Sequence, residues 1–417
     1  MSATVHVIGA GLAGLSAAVR LSRAGRRVVV HEATAFAGGR CRSYHDAALG
    51  MTIDNGNHLL LSGNRAALDY LRTIGAEHRL VGPPAAEFSF ADLASGERWT
   101  LRFNDGRIPF WIFDPARRVP GTRALDYAPM AQLLWPPAGK AVGEVIACEG
   151  TVYRRLVEPL LLAALNIDPP QGSARLAGAV IRETLAMGGR ACRPLIAREG
   201  LGSTLVEPAL ALLAERGAEI RMEHQLRSMR CGRDRVETLY FGNDSIVLKA
   251  DDAVVLAVPP YAAAPLVGDG DLAMPSEFRA IVNAHFRIDP PPALPPILGV
   301  LNATVEWIFA FPGRVSVTIS AGDRLIDTPR EELAKTIWSE VARVTGLPAP
   351  LPPWQIVRER RATFAATPAQ DALRPGAATR WRNLVLAGDW TATGLPATIE
   401  GAIRSGNRAA EVIAKHS

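Results

Sequence analysis

The first hydrophobic positions of the chain predict a strand, a tight turn and a helix. The apolar run VHVI at residues 5–8 is followed by glycines at positions 9, 11 and 14 and by the alanine-rich segment LSAAVRL. A second apolar run, RVVVH at residues 27–31, begins shortly after that segment ends. Apolar runs separated by one helical segment are typical of parallel βαβ units, so we predict such a unit here.

The spacing of the three glycines is typical of a turn that binds a dinucleotide. The first glycine would make the turn, the second would let the backbone touch a pyrophosphate, and the third would let helix and strand pack closely. The helix N-terminus would face the phosphate charge, and an acidic side chain after the second strand would hold the ribose hydroxyls. The predicted contacts are Gly9, Ala10, Gly11, Leu12, Ala13, Gly14, Glu32 and Ala33.

Two later parts of the chain carry patterns that would return to this unit. Residues 200–260 predict an amphipathic helix, alternating strands and the apolar strand of DDAVVLAVPP. Residues 383–390, NLVLAGDW, predict a strand, and residues 398–414 predict a helix with small residues on one face. We therefore predict a discontinuous nucleotide-binding domain of residues 1–82, 194–260 and 355–417. Residues 83–193 and 261–354, rich in proline, tryptophan and large aliphatics, predict a second, substrate-binding domain.

The segment FAGGRCRS at residues 36–43 carries further candidate cofactor contacts. It follows Glu32 at a distance that would let it fold back over the same pyrophosphate. Gly39 would allow close backbone approach, and Arg40 would supply fork-shaped donors to phosphate oxygens. The alternative is an ordinary basic turn at the surface.

His58 is the candidate catalytic residue. It ends the segment DNGNH at residues 54–58, where Gly56 and Asn57 precede it. Its ring is the one titratable group of that segment with an ordinary pKa near neutrality. We therefore predict that His58 faces the reactive ring of the cofactor, and a structural role is the alternative.

The C-terminal segment predicts the last group of contacts. Gly388 and Asp389 close the predicted strand, where the carboxylate would hydrogen-bond a polyol hydroxyl. The helix N-terminus at Ile399 would point backbone N–H groups at an electron-rich ring edge. An ordinary helix cap by Thr398 is the alternative.

Length and composition narrow the class of protein. The 417 residues are 48% hydrophobic, which suits two or three folded domains. The net charge of +5 comes without runs of like charge, so no nucleic-acid arm is predicted. The four cysteines lie far apart without ligand spacing, which predicts neither a metal site nor a disulfide framework and favours the reducing cytoplasm. Neither a secretory signal nor a membrane-spanning stretch is predicted.

The segment RIPFWIFDPARRVPG at residues 107–121 is a candidate for membrane contact. It combines a cluster of apolar side chains with three arginines: Phe110, Trp111, Ile112, Phe113, Arg107, Arg117 and Arg118. Aromatic side chains beside cations suit peripheral binding to the anionic inner face of a cell membrane. A buried strand followed by a basic loop is the alternative.

The segments IGAGLAGLSAA, HEATAFAGGRCRS, DNGNHLL, GAEIRMEHQLRSM and LVLAGDWTATGLPATIEGAIRSG, in this order, resemble the flavin-containing amine oxidase and phytoene desaturase superfamily. The resemblance covers the whole chain and implies an α/β fold: a Rossmann-like, glutathione-reductase-like FAD-binding domain with an inserted α+β substrate domain. The cofactor implied is FAD, held non-covalently, since no cysteine lies beyond Cys231. The contacts implied by motif match are Gly9, Gly11, Gly14, Glu32, Gly39, Arg40, Asn57, Leu226, Asp389 and Ile399.

Residues 56–77 and 156–185 are similar to one branch of that superfamily, the hydroxysqualene dehydroxylases of bacterial hopanoid biosynthesis. The resemblance implies a reduction in which hydride from reduced flavin replaces an allylic hydroxyl of a long isoprenoid. An apolar tunnel would hold this substrate, with residues 160–165 and 309–311 as candidate lining and ordinary core as the alternative. The electron donor is not identified. A carotenoid desaturase, a flavin amine oxidase and a non-catalytic prenyl-lipid carrier of the GDP-dissociation-inhibitor type remain alternatives.

Overall fold

The structure is a computed structural model that describes residues 3–242, 244–268 and 272–415. Its strands are β1 Thr4–Ile8, β2 Arg27–His31, β3 Ser43–Asp46, β4 Met51–Asp54, β5 Leu60–Leu61, β6 Leu80–Val81, β7 Glu87–Asp92, β8 Arg98–Arg102, β9 Pro194–Ala197, β10 Glu219–Arg221, β11 Ser228–Cys231, β12 Val236–Phe241, β13 Asp244–Val247, β14 Ala253–Leu256, β15 Phe278–Phe286, β16 Ile297–Leu301, β17 Trp307–Phe311, β18 Arg314–Ile319, β19 Trp354–Phe364 and β20 Leu384–Leu386.

The α-helices are α1 Leu12–Arg23, α2 Arg65–Thr73, α3 Val142–Val145, α4 Gly150–Val152, α5 Glu158–Leu165, α6 Ala174–Glu183, α7 Gly189–Cys192, α8 Glu207–Glu215, α9 Pro260–Val267, α10 Arg330–Thr345, α11 Pro368–Ala372 and α12 Ile399–Lys415. Two 3₁₀ helices, Phe110–Phe113 and Ala124–Leu134, precede α3.

A parallel sheet of order β10-β2-β1-β14-β20 forms the centre of the first unit. Its strands come from the three separated parts of the chain that the hydrophobic pattern predicts to meet. Strand β1 pairs with β2 on one side and with β14 on the other, so the predicted βαβ unit is present. Both faces of β1, β2, β14 and β20 are buried, which is why these four strands are mostly apolar. Helices α1 and α12 cover one face and the hairpins β11–β13 cover the other.

Helix α12 packs on α1 with little space between the two backbones. A Cβ atom added at Gly406 would lie 2.1 Å from the carbonyl oxygen of Ala13, so only glycine fits there. The Ser16 hydroxyl also donates to the carbonyl oxygen of Ile403 at 3.2 Å. The predicted small-residue face of the C-terminal helix is this contact surface.

A mixed sheet of order β19-β15-β18-β17-β16-β7-β8 forms the second unit. Helix α10 covers one face, where Val282, Val317 and Trp338 belong to one apolar cluster. The opposite face is turned to the segment with α3 to α7 and the two 3₁₀ helices. The sheet and helices expected in this part of the chain are therefore present.

One predicted boundary does not match the sheets. The division into two domains stays a prediction. It places residues from 355 onward in the nucleotide-binding part. In the structure, however, β19 pairs with β15 and forms an edge of the mixed sheet. Its middle, VRERR, is charged and partly exposed because one side of an edge strand meets solvent. Strand β19, which ends at Phe364, therefore belongs to the mixed sheet, and its charged middle lacks the apolar continuity of a central strand.

Candidate functional site

The glycine turn lies at the carboxyl end of β1, in the centre of the parallel sheet. Gly9 has a φ of +103°, and a Cβ atom there would lie 2.6 Å from the carbonyl oxygen of Ala257. A Cβ atom on Gly14 would lie 1.9 Å from the carbonyl oxygen of Gly9. Close strand contact and close helix packing therefore require glycine at both positions.

Gly11 behaves differently, because a Cβ atom built there would meet no protein atom within 4 Å. It is the N-cap of α1 and provides no side-chain hydrogen bond to the first turn, which includes Leu12 and Ala13. The helix N-terminus therefore meets open space beside a residue without a side chain. This is the arrangement that a pyrophosphate requires, so the turn fits a dinucleotide.

The loop that carries Gly39 and Arg40 folds back onto this turn. The backbone N–H of Gly38 donates to the carbonyl oxygen of Ala10 at 2.8 Å. A Cβ atom on Gly39 would lie 3.4 Å from the Cα of Gly11. The loop therefore lies against the glycine turn, and its contact with a pyrophosphate stays a prediction.

Glu32 lies beside the turn at the carboxyl end of β2. Its carboxylate accepts a hydrogen bond from the backbone N–H of Ala10 at 2.8 Å and one from Thr34 at 3.0 Å. The backbone N–H of His224 donates to the Glu32 carbonyl oxygen at 2.7 Å. Leu226, which is buried, follows His224 closely, so this pairing brings its segment to the same end of the sheet as Glu32 and Ala33.

Asp389 reaches the site from the other end of the chain, directly after β20. Its buried carboxylate accepts a hydrogen bond from Arg40 Nη2 at 2.8 Å. The backbone N–H of Gly388 donates to the Ser405 hydroxyl at 2.8 Å, which joins the loop to α12. A Cβ atom on Gly388 would lie 2.2 Å from Trp390 Nε1, so this loop also needs glycine.

Arg374 holds the Asp389 loop and was not predicted from the sequence. Its side chain is fully buried and donates to the carbonyl oxygens of Asp389, at 3.0 Å, and Thr391. It is paired with Asp371 at 3.2 Å. Burial lowers the pKa of Arg374, against the opposing effect of Asp371. The one sequence signal is an arginine before Pro375, which is too common to have identified it.

Asn57 is tied to the mixed sheet. Its side-chain amide donates to the carbonyl oxygen of Val317 at 3.2 Å and to the Thr318 hydroxyl at 3.1 Å. Gly56 lies against Asn283, on the neighbouring strand. Within the described part of the chain, Asn57 Oδ1 is buried without a partner, so it is the side-chain atom that remains for a ligand. The motif is therefore a junction between the loop after β4 and the mixed sheet.

His58 lies next to this junction and is partly buried. Desolvation, and secondly the charge of Arg40, lower the pKa of His58 to about 4. The ring is then neutral near pH 7, whereas a general acid must carry the proton that it delivers. The catalytic role of His58 stays a prediction, and this pKa does not favour it.

The N-terminus of α12 has the ordinary cap that was held as an alternative. The Thr398 hydroxyl accepts a hydrogen bond from the backbone N–H of Gly401 at 3.0 Å. Ile399, the first residue of the helix, is buried. The cap does not use the N–H of Ile399, and the contact of this residue with a flavin ring stays a prediction.

The candidate substrate side is the face of the mixed sheet opposite α10. Under β15 and β18 it is polar, with His285 hydrogen-bonded to Ser316 at 2.9 Å. Under β17 it is aromatic, and the rings of Phe309 and Phe311 stack with centroids 6.2 Å apart. Leu161 of α5 belongs to the same core cluster and is fully buried, as ordinary core residues are. The tunnel stays a prediction, and the aromatic half of this face is its best candidate wall.

Other kinds of centre receive no support from the described residues. The four cysteines there are free thiols. Among residues 3–242, 244–268 and 272–415, no group of three His, Cys, Asp or Glu side chains is placed to hold a metal ion. In the same residues, no helix has both the length and the apolar character needed to cross a membrane.

Comparison with known proteins identifies the family. The profile described as flavin containing amine oxidoreductase matches residues 12–414. A hydroxysqualene dehydroxylase of Rhodopseudomonas palustris is 62% identical over 414 residues, which are 99% of each chain. A hydroxysqualene dehydroxylase of Sinorhizobium fredii is 60% identical over 412 residues, covering 99% of this chain and 98% of that one.

A solved structure shares the fold. Cyclohexylamine oxidase from Brevibacterium oxydans superimposes with a TM-score of 0.70 at 18% identity, covering 100% of this chain and 99% of that one. This confirms the predicted Rossmann-like α/β architecture, and the flavin-containing family confirms the expected FAD cofactor. The chain belongs to the flavin-containing amine oxidoreductase family, in the same group as the hydroxysqualene dehydroxylases that it resembles.

Proposed function

We propose that the protein replaces the allylic hydroxyl of hydroxysqualene with hydrogen and releases squalene and water. The observation that carries this proposal is the 62% identity to a hydroxysqualene dehydroxylase over 99% of both chains. The match extends over both the segments with the predicted cofactor contacts and the segments predicted to bind substrate, which supports the proposal. The geometry agrees, because Glu32, Arg40 and Asp389 converge on the glycine turn.

The reaction is a two-electron reduction. One hydride reaches the carbon, one proton reaches the leaving hydroxyl, and the oxygen departs as water. A bound reduced FAD supplies the hydride. The task of the chain is to hold the cofactor and to keep the electron-poor carbon away from water until the hydride arrives.

Residues of both sheets would share this task. The uncapped N-terminus of α1 and the Arg40 loop would hold the pyrophosphate, and Glu32 and Asp389 would hold hydroxyl groups. The aromatic face with Phe309 and Phe311 would exclude water around the hydrocarbon. A long isoprenoid alcohol has a single polar group, so an apolar wall contributes most of its binding.

The decisive test is anaerobic incubation of the reduced, flavin-loaded protein with hydroxysqualene, followed by extraction and product analysis. We expect squalene, and we expect none from the oxidised protein, which serves as the matched control. If the reduced protein forms no squalene, the proposal is wrong. Dehydrogenation of phytoene by the oxidised protein would instead identify a desaturase.

The absorbance spectrum distinguishes a flavin enzyme from a prenyl-lipid carrier. The purified protein should show flavin absorbance, which a carrier without cofactor lacks. The same preparation should release flavin on denaturation, because we expect no covalent link.

A further inference from the structure

We infer that the two 3₁₀ helices and their flanks form a surface that binds an anionic lipid bilayer. Eight large hydrophobic side chains are exposed among the residues that the structure describes, and five lie between positions 108 and 135. We call these five the apolar patch: Ile108, Phe110, Phe113, Leu125 and Trp135. Single exposed apolar residues are ordinary, whereas such a concentration marks an interaction surface.

The local geometry forces the patch outward. Residues three apart in a 3₁₀ helix lie on the same face, so Phe110 and Phe113 point together. Both are more than 60% exposed, whereas Trp111 between them is 7% exposed. Trp111 was predicted to contact the membrane, and this is wrong, because its ring packs edge-on against Phe103 and Tyr127.

The support beneath the patch is rigid. Asn104 accepts a hydrogen bond from the backbone N–H of Trp111 at 3.1 Å, and the Tyr127 hydroxyl accepts one from Val119 at 2.9 Å. Trp111 and Tyr127 thus join the two 3₁₀ helices into one platform. The backbone around Trp111 and Val119 is therefore held in place by buried partners.

Positively charged side chains lie in the same segment as the patch. The Arg118 guanidinium donates to the carbonyl oxygen of Ile112 at 2.9 Å, and that of Arg117 donates to the carbonyl oxygen of Arg102 at 3.2 Å. Within residues 3–242, 244–268 and 272–415, neither they nor Arg107 form an ion pair with a carboxylate. Their charges remain available to lipid phosphates, which favours an anionic bilayer over an uncharged partner.

The side chains beneath the patch belong to the large core cluster that includes the candidate substrate wall. Phe103, Trp111 and Tyr127 belong to the same core cluster as Phe309 and Phe311. Binding to a bilayer depends on the exposed residues alone, whereas delivery of a lipid substrate through this surface rests on the proposed function.

Flotation with vesicles tests the inference without any substrate. The full, flavin-loaded chain is mixed with vesicles of phosphatidylcholine alone or of phosphatidylcholine with phosphatidylglycerol. We expect flotation with the anionic vesicles, weakened by salt. The double variant Phe110→Ser, Phe113→Ser should bind roughly tenfold or more weakly, because it removes two side chains that bury in the bilayer. Leu125→Ser with Trp135→Ser should act in the same direction.

The matched control is Val247→Ser, which removes an exposed apolar side chain outside the patch. It should float like the unmodified protein. Each variant is checked for flavin content and for turnover of detergent-dispersed hydroxysqualene, which patch variants should retain. Failure of turnover in every form would contradict the proposed function and leave the flotation result to stand by itself.

Two results would overturn the inference. One is flotation of both double variants at the level of the control. The other is absence of vesicle binding by the unmodified protein. This includes the case in which the unmodified protein is a dimer and the patch variants are monomers. In that case a second copy of the chain, and not a bilayer, covers the patch.

Discussion

Arg40 Nη2 lies 2.7 Å from a carboxylate oxygen of Asp389, although the two residues are separated by 349 positions in the chain. Desolvation acts to lower the pKa of Arg40, but the charge and hydrogen bond of Asp389 outweigh it and raise that pKa. The guanidinium therefore stays charged at every ordinary pH. The pair joins the loop after β2 to the loop after β20 at the point where the phosphates and hydroxyls of FAD would bind.

We expect Asp389→Asn and Arg40→Ala to weaken FAD binding by about tenfold or more, because hydrogen bonds to charged groups contribute about 1.5–3 kcal/mol. Reconstitution of deflavinated protein, followed by quenching of flavin fluorescence, measures the affinity. Arg20→Ala is the control, since it breaks an exposed ion pair with Glu411. If all three variants bind FAD equally, Arg40 and Asp389 lie outside the cofactor site.

Arg374 should contribute both to the stability of the fold and to cofactor binding. Arg374→Ala would remove the donor of several buried carbonyl oxygens and one of the two arginines paired with Asp371, so we expect a loss of about 3–5 kcal/mol in the free energy of unfolding, since each buried acceptor left without a donor costs about 1–3 kcal/mol. Arg374→Lys should recover part of it, because lysine keeps the charge but loses the planar fork. Urea unfolding of the flavin-free protein isolates the structural effect. A loss below about 1 kcal/mol for Arg374→Ala would contradict the role as a clamp.

The sequence predicts the parts of the site whose chemistry is local. Gly14 is required by its close contact with Gly9, and the positive φ of Gly9 belongs to the same turn, so their spacing alone indicates the geometry. Glu32 follows from the length of the same unit. These features are set within one stretch of chain, and the hydrophobic period marks where that stretch begins and ends.

The remaining features depend on contacts between distant segments. Arg374 acts on a loop fifteen positions later through backbone carbonyl oxygens, which leave no mark in the sequence. The burial of Trp111 follows from Tyr127, which approaches it from a second 3₁₀ helix. The sequence alone places strand β19 in the C-terminal unit, and only its pairing with β15 shows that it belongs to the mixed sheet. Contacts between distant segments, which hydrophobic periodicity does not indicate, therefore determine these features.

The variant His58→Gln tests the predicted catalytic role of His58. Since its lowered pKa of about 4 leaves the ring neutral near pH 7, we expect His58→Gln to lower turnover of hydroxysqualene by less than roughly tenfold. Single-turnover rates with pre-reduced protein measure the chemical step, and the flavin content of the variant is the control. A loss of about a hundredfold or more with full flavin content would establish His58 as the acid.

Acid should destabilise the protein through His285. Burial, and secondly Arg314, lower the pKa of His285 to about 3, whereas an unfolded histidine has a pKa of about 6.5. Below about pH 6.5 the unfolded chain therefore binds a proton that the folded chain does not, so the folded state loses stability as pH falls. The slope from this residue is about 1.4 kcal/mol per pH unit, down to the folded pKa. Urea unfolding across this range should show a flatter pH dependence for His285→Asn than for the unmodified protein. His78→Asn, at an exposed position, should keep the original slope, and an unchanged slope in His285→Asn would show that His285 is protonated in the folded state.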